Sequence, residues 1–169
     1  GPAGGQSSLH YPAPTLDNPN NANWAVNAIA PVTPDTANAA LNVRSFDDTA
    51  EEGVGCTIYI PPYASNLTLS LMAKAATAPA SARSVLMNLY RRLVPVGSAV
   101  PSWSSAFALT ALPISANVFY QTHTQTVSLA ALGMVAGQTY QLELTRNGAS
   151  ASDTLAGDLQ LLQLTITFA

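Results

Sequence analysis

The sequence predicts an all-β fold, an antiparallel β-sandwich of jelly-roll type with eight or nine strands, and three observations carry that reading. Segments in which apolar and polar residues alternate recur along the chain at a spacing of roughly 10–15 residues, close to that of sandwich domains. Proline, glycine and Asn/Ser clusters separate them. No long stretch shows the 3.6-residue apolar period of an amphipathic helix.

Taken in order, residues 1–22 carry Pro2, Pro12, Pro14 and Pro19 with Gly and Asn between them. Proline removes a backbone donor, so this part reads as an extended arm or linker with no helix or central strand. Residues 23–169 read as the sandwich domain. Trp24 to Ile29 alternates briefly and predicts a first strand, closed by Pro31 and Pro34. Asp35 to Asn42 predicts one helical turn, with Asp35 as N-cap and Ala37, Ala39 and Ala40 behind it. Leu41 to Phe46 alternates as a half-buried strand does. Gly55 to Ile60 follows, with Cys56, Ile58 and Ile60 on one face, Thr57 and Tyr59 on the other, and Pro61-Pro62 stopping it. Asn66 to Lys74 places Leu67, Leu69 and Leu71 inward.

Val85 to Val94 has helix-forming Leu, Met and Arg, but its period is two and it is flanked by Pro79 and Pro95, so it reads as a strand. Trp103 to Leu112 ends as an apolar strand before Pro113. Phe119 to Leu129 is β-forming in composition. Leu129 to Gly133 predicts a helical turn closed by glycine, Thr139 to Arg146 alternates cleanly, and Asp158 to Phe168 closes the chain as a long strand.

Composition narrows function. At 169 residues the chain is one domain by the usual prior and can bury roughly 70% of its unfolded surface. One cysteine excludes an internal disulfide framework, and two histidines leave little for a His-based metal site. Charged residues make up 9% of the chain, against about 25% in globular proteins generally. So few Lys and Arg cannot supply the phosphate contacts that dominate nucleic-acid affinity, which excludes such a partner. The surface is therefore covered by Ser, Thr, Asn, Gln and Ala, or partly buried against other subunits. No apolar run approaches the roughly 20 residues of a membrane span, and the start does not read as a signal peptide, so the expectation is a soluble chain with no membrane insertion. Gly1-Pro2 reads either as a protease scar or as the tail of a Gly-X-Y stalk.

Few residues suggest chemistry. Asp47, Asp48, Glu51 and Glu52 are four of the nine acidic residues and precede a β-forming run. Hard cations take several carboxylate oxygens, so the group is a candidate calcium site, although its spacing fits no EF-hand. A solvated loop neutralised by Arg44 or Arg146 explains the same acids. A glycosidase-like acid and base would come from separated elements flanking a cleft, so adjacent acids on one loop argue against catalysis. His123 reads as a solvent-facing strand residue, and Cys56 as a small core hydrophobe. No nucleophile elbow or phosphate loop is present, and no cofactor is expected.

Sugar binding is the other possibility. Trp24, Tyr59, Tyr63, Tyr90, Trp103 and Tyr120 are rings that could stack on pyranose faces, with Trp103, Tyr63 and Tyr120 the candidate binding residues. Trp103, in the polar loop Pro101-Ser-Trp-Ser-Ser105, is the best of them. Asn66-Leu67-Thr68 is formally a glycosylation sequon that matters only in a protein secreted from a eukaryote.

Arg44 to Gly55 followed by a strand and Ile60-Pro-Pro-Tyr-Ala64, then Ala78-Pro-Ala80, Pro101-Ser-Trp-Ser104, Leu142 to Asn147 and Asp153 to Asp158, resemble a domain at the C-terminal end of tailed-bacteriophage structural proteins, where it often follows collagen-like repeats. The resemblance spans about residues 41–169. It implies a non-enzymatic, homotrimeric head fibre, capsid decoration or tail-fibre knob on the virion, assembled in the host cytoplasm, in contact with other virion proteins and able to aid attachment to host surface glycans. Low charge and Ala-rich faces suit such an assembly. A free carbohydrate-binding module is the alternative reading.

Overall fold

The computed structural model describes residues 7–16, 27–28 and 43–169. Twelve strands are present among them, more than the eight or nine expected because several are only two or three residues long. The first sheet runs β1 (Ser7–Pro12), β12 (Leu159–Phe168), β5 (Asn66–Ala75) and β10 (Gln121–Ser128), with β3 (Arg44–Phe46) also on β12. The second runs β2 (Asn27–Ala28), β4 (Glu51–Tyr59), β11 (Thr139–Asn147), β7 (Met87–Leu93) and β8 (Phe107–Ala108). A small ladder joins β6 (Arg83–Val85) to β9 (Leu112–Ile114). Every pairing is antiparallel except β2 with β4. The protein is an all-β antiparallel sandwich, and the jelly-roll description fits it.

The core lies between the two sheets and is built from the inward residues of each alternating strand. Leu67, Leu69 and Leu71 of β5 are fully buried, as expected, and they meet Cys56, Ile58 and Leu144 of the second sheet in one cluster. Each such side chain contributes about 1.5–3 kcal/mol on burial. The last strand has a phase change written into it. Leu159 and Leu161 face inward, then Leu164, Ile166 and Phe168 do, and the register against β5 shifts between Leu161 and Gln163. This β-bulge restores the inward face after an extra residue. It also divides one flank of β12, whose first part pairs with β3 and whose second part pairs with β1.

The N-terminal stretch departs from the arm expected over residues 1–22. Ser7–Pro12 is an edge strand of the first sheet, and Ala13 and Leu16 behind it are core residues. The buried Arg44 holds the turn by donating from Nε to the Ala13 carbonyl at 3.2 Å and from Nη2 to that of Leu16 at 2.8 Å. Prolines are tolerated there because one side of an edge strand makes no ladder bonds. Of the predicted strand Trp24 to Ile29, the structure describes Asn27–Ala28 as β2, and the remainder lies outside the described residues. So does the helical turn expected between Asp35 and Asn42.

Three other boundaries moved. The strand expected to start at Gly55 starts at Glu51, so two of the four acids belong to a strand rather than a loop. The run Val85 to Val94 is extended, as its period requires, but splits at Leu86 between the small ladder and the second sheet. Pro113 lies inside β9 rather than beyond the strand, opposite Ser84, where β9 has one partner and no second ladder to break. The turn after β10 is the helix α1 (Leu129–Leu132), N-capped by Ser128 and closed by Gly133 in the left-handed region at φ 61.

Candidate functional site

The polar residues of the second sheet gather on its outward face. Alternation along β11 sends Tyr140, Leu142, Leu144 and Arg146 into the core and so turns Gln141, Glu143 and Thr145 to the other face of the sheet, where Gln141 is half-buried and Glu143 and Thr145 are fully buried. Register does the rest. Glu143 lies between Gly55 and Tyr90, Thr145 between Gly53 and Asn88, and Gln141 between Thr57 and Arg92. Glu51 ends the row opposite Asn147.

This strip is organised around two carboxyl groups in unlike settings. One oxygen of Glu51 accepts three hydrogen bonds, from Thr145 Oγ1 at 2.7 Å, Tyr90 Oη at 2.9 Å and Asn88 Nδ2 at 3.2 Å. Glu143 is fully buried, yet neither of its oxygens has a hydrogen-bond partner among the described residues. Burial, and after it the negative charge of Glu51, push its pKa up to about 9, so it is protonated at neutral pH. Burial and the same glutamate push the Tyr90 phenol up to about 12, which keeps it a donor. The backbone makes room for the pair: a Cβ at Gly53 would collide with Glu143 Oε1.

At the far end of the strip, Arg92 donates from Nε to Gln141 Oε1 at 3.0 Å and from Nη2 to the same oxygen. Its guanidinium carbon stands 4.6 Å from the centre of the Trp103 ring. The indole is placed there by its loop, because Ser104 bonds Arg91 through backbone (N to O, 2.9 Å) and side chain (Arg91 N to Oγ, 3.1 Å). The half-buried part of the strip therefore offers the Gln141 amide, the Tyr90 phenol and the Arg92 guanidinium beside a half-buried aromatic ring, with Glu143, Thr145 and Asn88 buried next to them. Such a mixture of donors and acceptors with a ring recognises hydroxylated ligands.

The aromatic residues expected to form one platform are dispersed. Trp103 joins the strip and Tyr90 is part of it. Tyr63 is exposed in the turn after β4, and Tyr120 lies 5.2 Å from the Nζ of the buried Lys74. Tyr59 is exposed at the end of β4, and Trp24 lies outside the described residues. A shared β period tells which rings share a face of one strand, but not which strands adjoin.

The four acids do not converge either. Asp47 Oδ1 accepts from the Thr49 backbone and hydroxyl, both at 2.5 Å, which holds its carboxyl below its usual range. Asp48 Oδ2 takes the Gly157 N–H at 2.6 Å. Glu52 Oε2 takes the Asp47 N–H at 2.8 Å, while burial pushes its pKa up. Glu51 turns to the other face of the sheet. Among the described residues no three acidic, His or Cys side chains are grouped to hold a metal ion, so the calcium candidate is not assembled. Nor is the loop neutralised by an Arg146 ion pair, since that side chain is buried and bridges Asp153 at 2.8 Å.

His123 corrects the expectation of a solvent-facing residue. It points inward and is 8% exposed, and burial lowers its pKa. Cys56 is a buried free thiol in the core, as expected. Asn66 of the sequon is half-buried at the start of β5, with its Nδ2 donating to Ser65 Oγ at 3.1 Å.

No protein-family model and no curated protein sequence matches the chain. Among solved structures, a family 35 carbohydrate-binding module from Clostridium thermocellum is similar over 96% of this chain and 99% of that one, with TM-score 0.52 and 12% identity. A Paenibacillus cycloisomaltooligosaccharide glucanotransferase complexed with cycloisomaltoheptaose matches over 93% of this chain and 18% of its own, with TM-score 0.50 and 14% identity. An exo-β-1,3-galactanase from Phanerochaete chrysosporium with galactose matches over 95% and 29%, with TM-score 0.50 and 8% identity. The chain thus spans the whole of the first and a fraction of the other two. At these identities the likeness establishes the β-sandwich fold.

Proposed function

We propose that this chain is a non-catalytic carbohydrate-binding β-sandwich module whose binding surface is the outward face of the second sheet. The observation that carries the reading is the half-buried part of the strip, in which Tyr90, Gln141 and Arg92 lead to the Trp103 ring. Sugars present hydroxyls that need paired donors and acceptors, and C–H faces that stack on indole. The half-buried Gln141 amide, Tyr90 phenol and Arg92 guanidinium supply the polar groups, while the protonated Glu143 is buried beneath them. The sandwich shared with a carbohydrate-binding module, and with parts of two proteins that act on saccharides, supports the same reading by analogy of fold.

The test is a glycan array followed by calorimetry on the best ligand. Trp103→Ala is expected to weaken binding about 10- to 100-fold, the effect of truncating an aromatic anchor worth roughly 2 kcal/mol. Tyr63→Ala and Tyr120→Ala should bind as the parent does, since neither ring lies on the strip. Unchanged affinity in Trp103→Ala, or an array without specific binding, removes the proposal.

A second reading rests on the resemblance of the loops around Arg44, Pro101, Leu142 and Asp153 to the tailed-phage domain. In it, the module is the knob of a trimeric head fibre, decoration protein or tail fibre, and glycan binding serves attachment to the host surface. Scarce charge, with exposed Val96, Val100, Phe119 and Val135, favours packing against other subunits. Light scattering at micromolar concentration should then give three chains per particle; a monomer counts against it.

A further inference from the structure

We infer that the pocket at the free edge of β10 holds one neutral hexopyranose unit, a second sugar subsite separate from the Trp103 strip. The inference rests on the carbohydrate-binding reading above but uses none of its residues. Among the described residues β10 is the last strand of the first sheet and pairs only with β5. Beside its open flank runs the segment from Thr110 to Pro113, and the two enclose a cavity of about 310 Å³ lined by Thr110, Ala111, Leu112, Pro113, His123, Thr124 and Gln125. That volume stands at the lower end of the roughly 300–1,000 Å³ typical of small-ligand sites.

The walls are held in place. Leu109 N–H bonds the Met87 carbonyl at 2.9 Å, Thr110 N–H bonds Gln125 Oε1 at 2.7 Å, and the buried Leu112 pairs with Val85. The lining is then read for what it would accept. Ala111, Leu112 and Pro113 give an apolar wall suited to the C–H face of a sugar ring. The Thr110 hydroxyl and the Gln125 Nε2 amide are there for its oxygens, while the Thr124 hydroxyl is paired with Ser70 Oγ at 2.9 Å. No described lining residue carries a fixed charge, and burial lowers the pKa of His123, which favours the neutral imidazole. A charged ligand would enter uncompensated, whereas a neutral one would not. His123 also supplies an unmet need: its Nε2 is enclosed and has no hydrogen-bond partner among the described residues. Leaving a buried polar group unpaired costs about 1–3 kcal/mol, which a ligand hydroxyl would offset.

The chain has two histidines, which makes the test direct. His10 lies on the other side of the same sheet, with Nδ1 against Thr165 Oγ1 at 3.1 Å, and serves as the internal control. Imidazole ¹H–¹⁵N spectra of the full chain are recorded while methyl glycosides of glucose, galactose and mannose are added. The expected result is a saturable shift of the His123 resonances with at least one glycoside, with His10 unmoved. Ala111→Trp fills the pocket from an exposed position and should abolish the shift, and Thr110→Trp, exposed in the same lining segment, is the second blocking variant. Trp103→Ala should leave the shift intact. A silent His123 in a chain that still binds glycans on the array overturns this subsite alone, and so does a shift that survives both blocking variants. Silence in both experiments overturns the subsite together with the carbohydrate reading.

Discussion

Replacing Arg146 by Met is expected to cost about 3–5 kcal/mol of stability, the usual result of removing one member of a buried, hydrogen-bonded ion pair. Arg146 is completely buried and uses its whole guanidinium. Nε and Nη2 bind Asp153 side by side at 2.9 and 2.8 Å, Nη1 reaches the carbonyls of Phe46 at 3.0 Å and Gly157 at 2.7 Å, and Nη2 reaches that of Leu155 at 2.5 Å. Asp153 in turn receives the Leu86 N–H at 3.2 Å and the Leu155 N–H at 3.3 Å. One side chain thus ties β11 to β3 and to the long loop before β12. Methionine fills much of the volume but leaves a buried carboxylate and three carbonyls without their donor. For a domain of this size the expected fall in Tm is roughly 10 °C. Arg146→Lys should recover little, because an ammonium cannot present the planar fork that this cage requires. Urea titration measures the loss directly; a change below about 1 kcal/mol would show that the cage is not what holds the loop.

Glu143→Gln is expected to change the shape of the stability curve with pH. The folded chain holds the Glu143 proton up to about pH 9, while the unfolded chain releases it near the ordinary value of 4.5. Native protein therefore binds more protons than unfolded protein between those values. Stability from this group is fully present below about 4.5 and is lost as pH rises towards 9. Each unit of the interval is worth at most about 1.4 kcal/mol. Glutamine keeps the shape and has no proton to lose, so the variant should match the parent near pH 5 and exceed it by a few kcal/mol at pH 8–9, on the order of 5–10 °C in Tm. Burial raises the pKa values of Glu52 and Asp158 as well, so they contribute with the same sign. They are common to both proteins and cancel in the difference. Parallel curves for parent and variant would mean that Glu143 is ionised in the fold.

Much of the architecture was legible before any coordinates. Strict alternation named the inward residues of β5 and the two faces of β4, and the Ser128 and Gly133 pair marked the short helix at both ends. These features are local, set by two-residue periodicity and by backbone preferences of single residues. The failures share a different cause. His123 lies in a strand where Gln121, His123 and Gln125 alternate with Thr122, Thr124 and Thr126, so both faces are polar and periodicity cannot say which turns inward. Ser7–Pro12 has little to recommend it as a strand by itself, and exists because the bulged β12 offers a free flank.

The candidate site divides in the same way. Residues 141, 143 and 145 could be assigned to one outward face from the alternation of Thr139 to Arg146. That Glu143 would meet Tyr90 and Gly55, that Thr145, Asn88 and Tyr90 would converge on Glu51, and that Trp103 would stand over Arg92 are matters of strand order and register. The sequence by itself determined an all-β chain, its inward and outward residues where one face is apolar, and a scarcity of charge. Only the tertiary structure decided which outward residues became neighbours, which acids were buried and which way His123 turned, because those depend on pairings between segments tens of residues apart that no local pattern encodes.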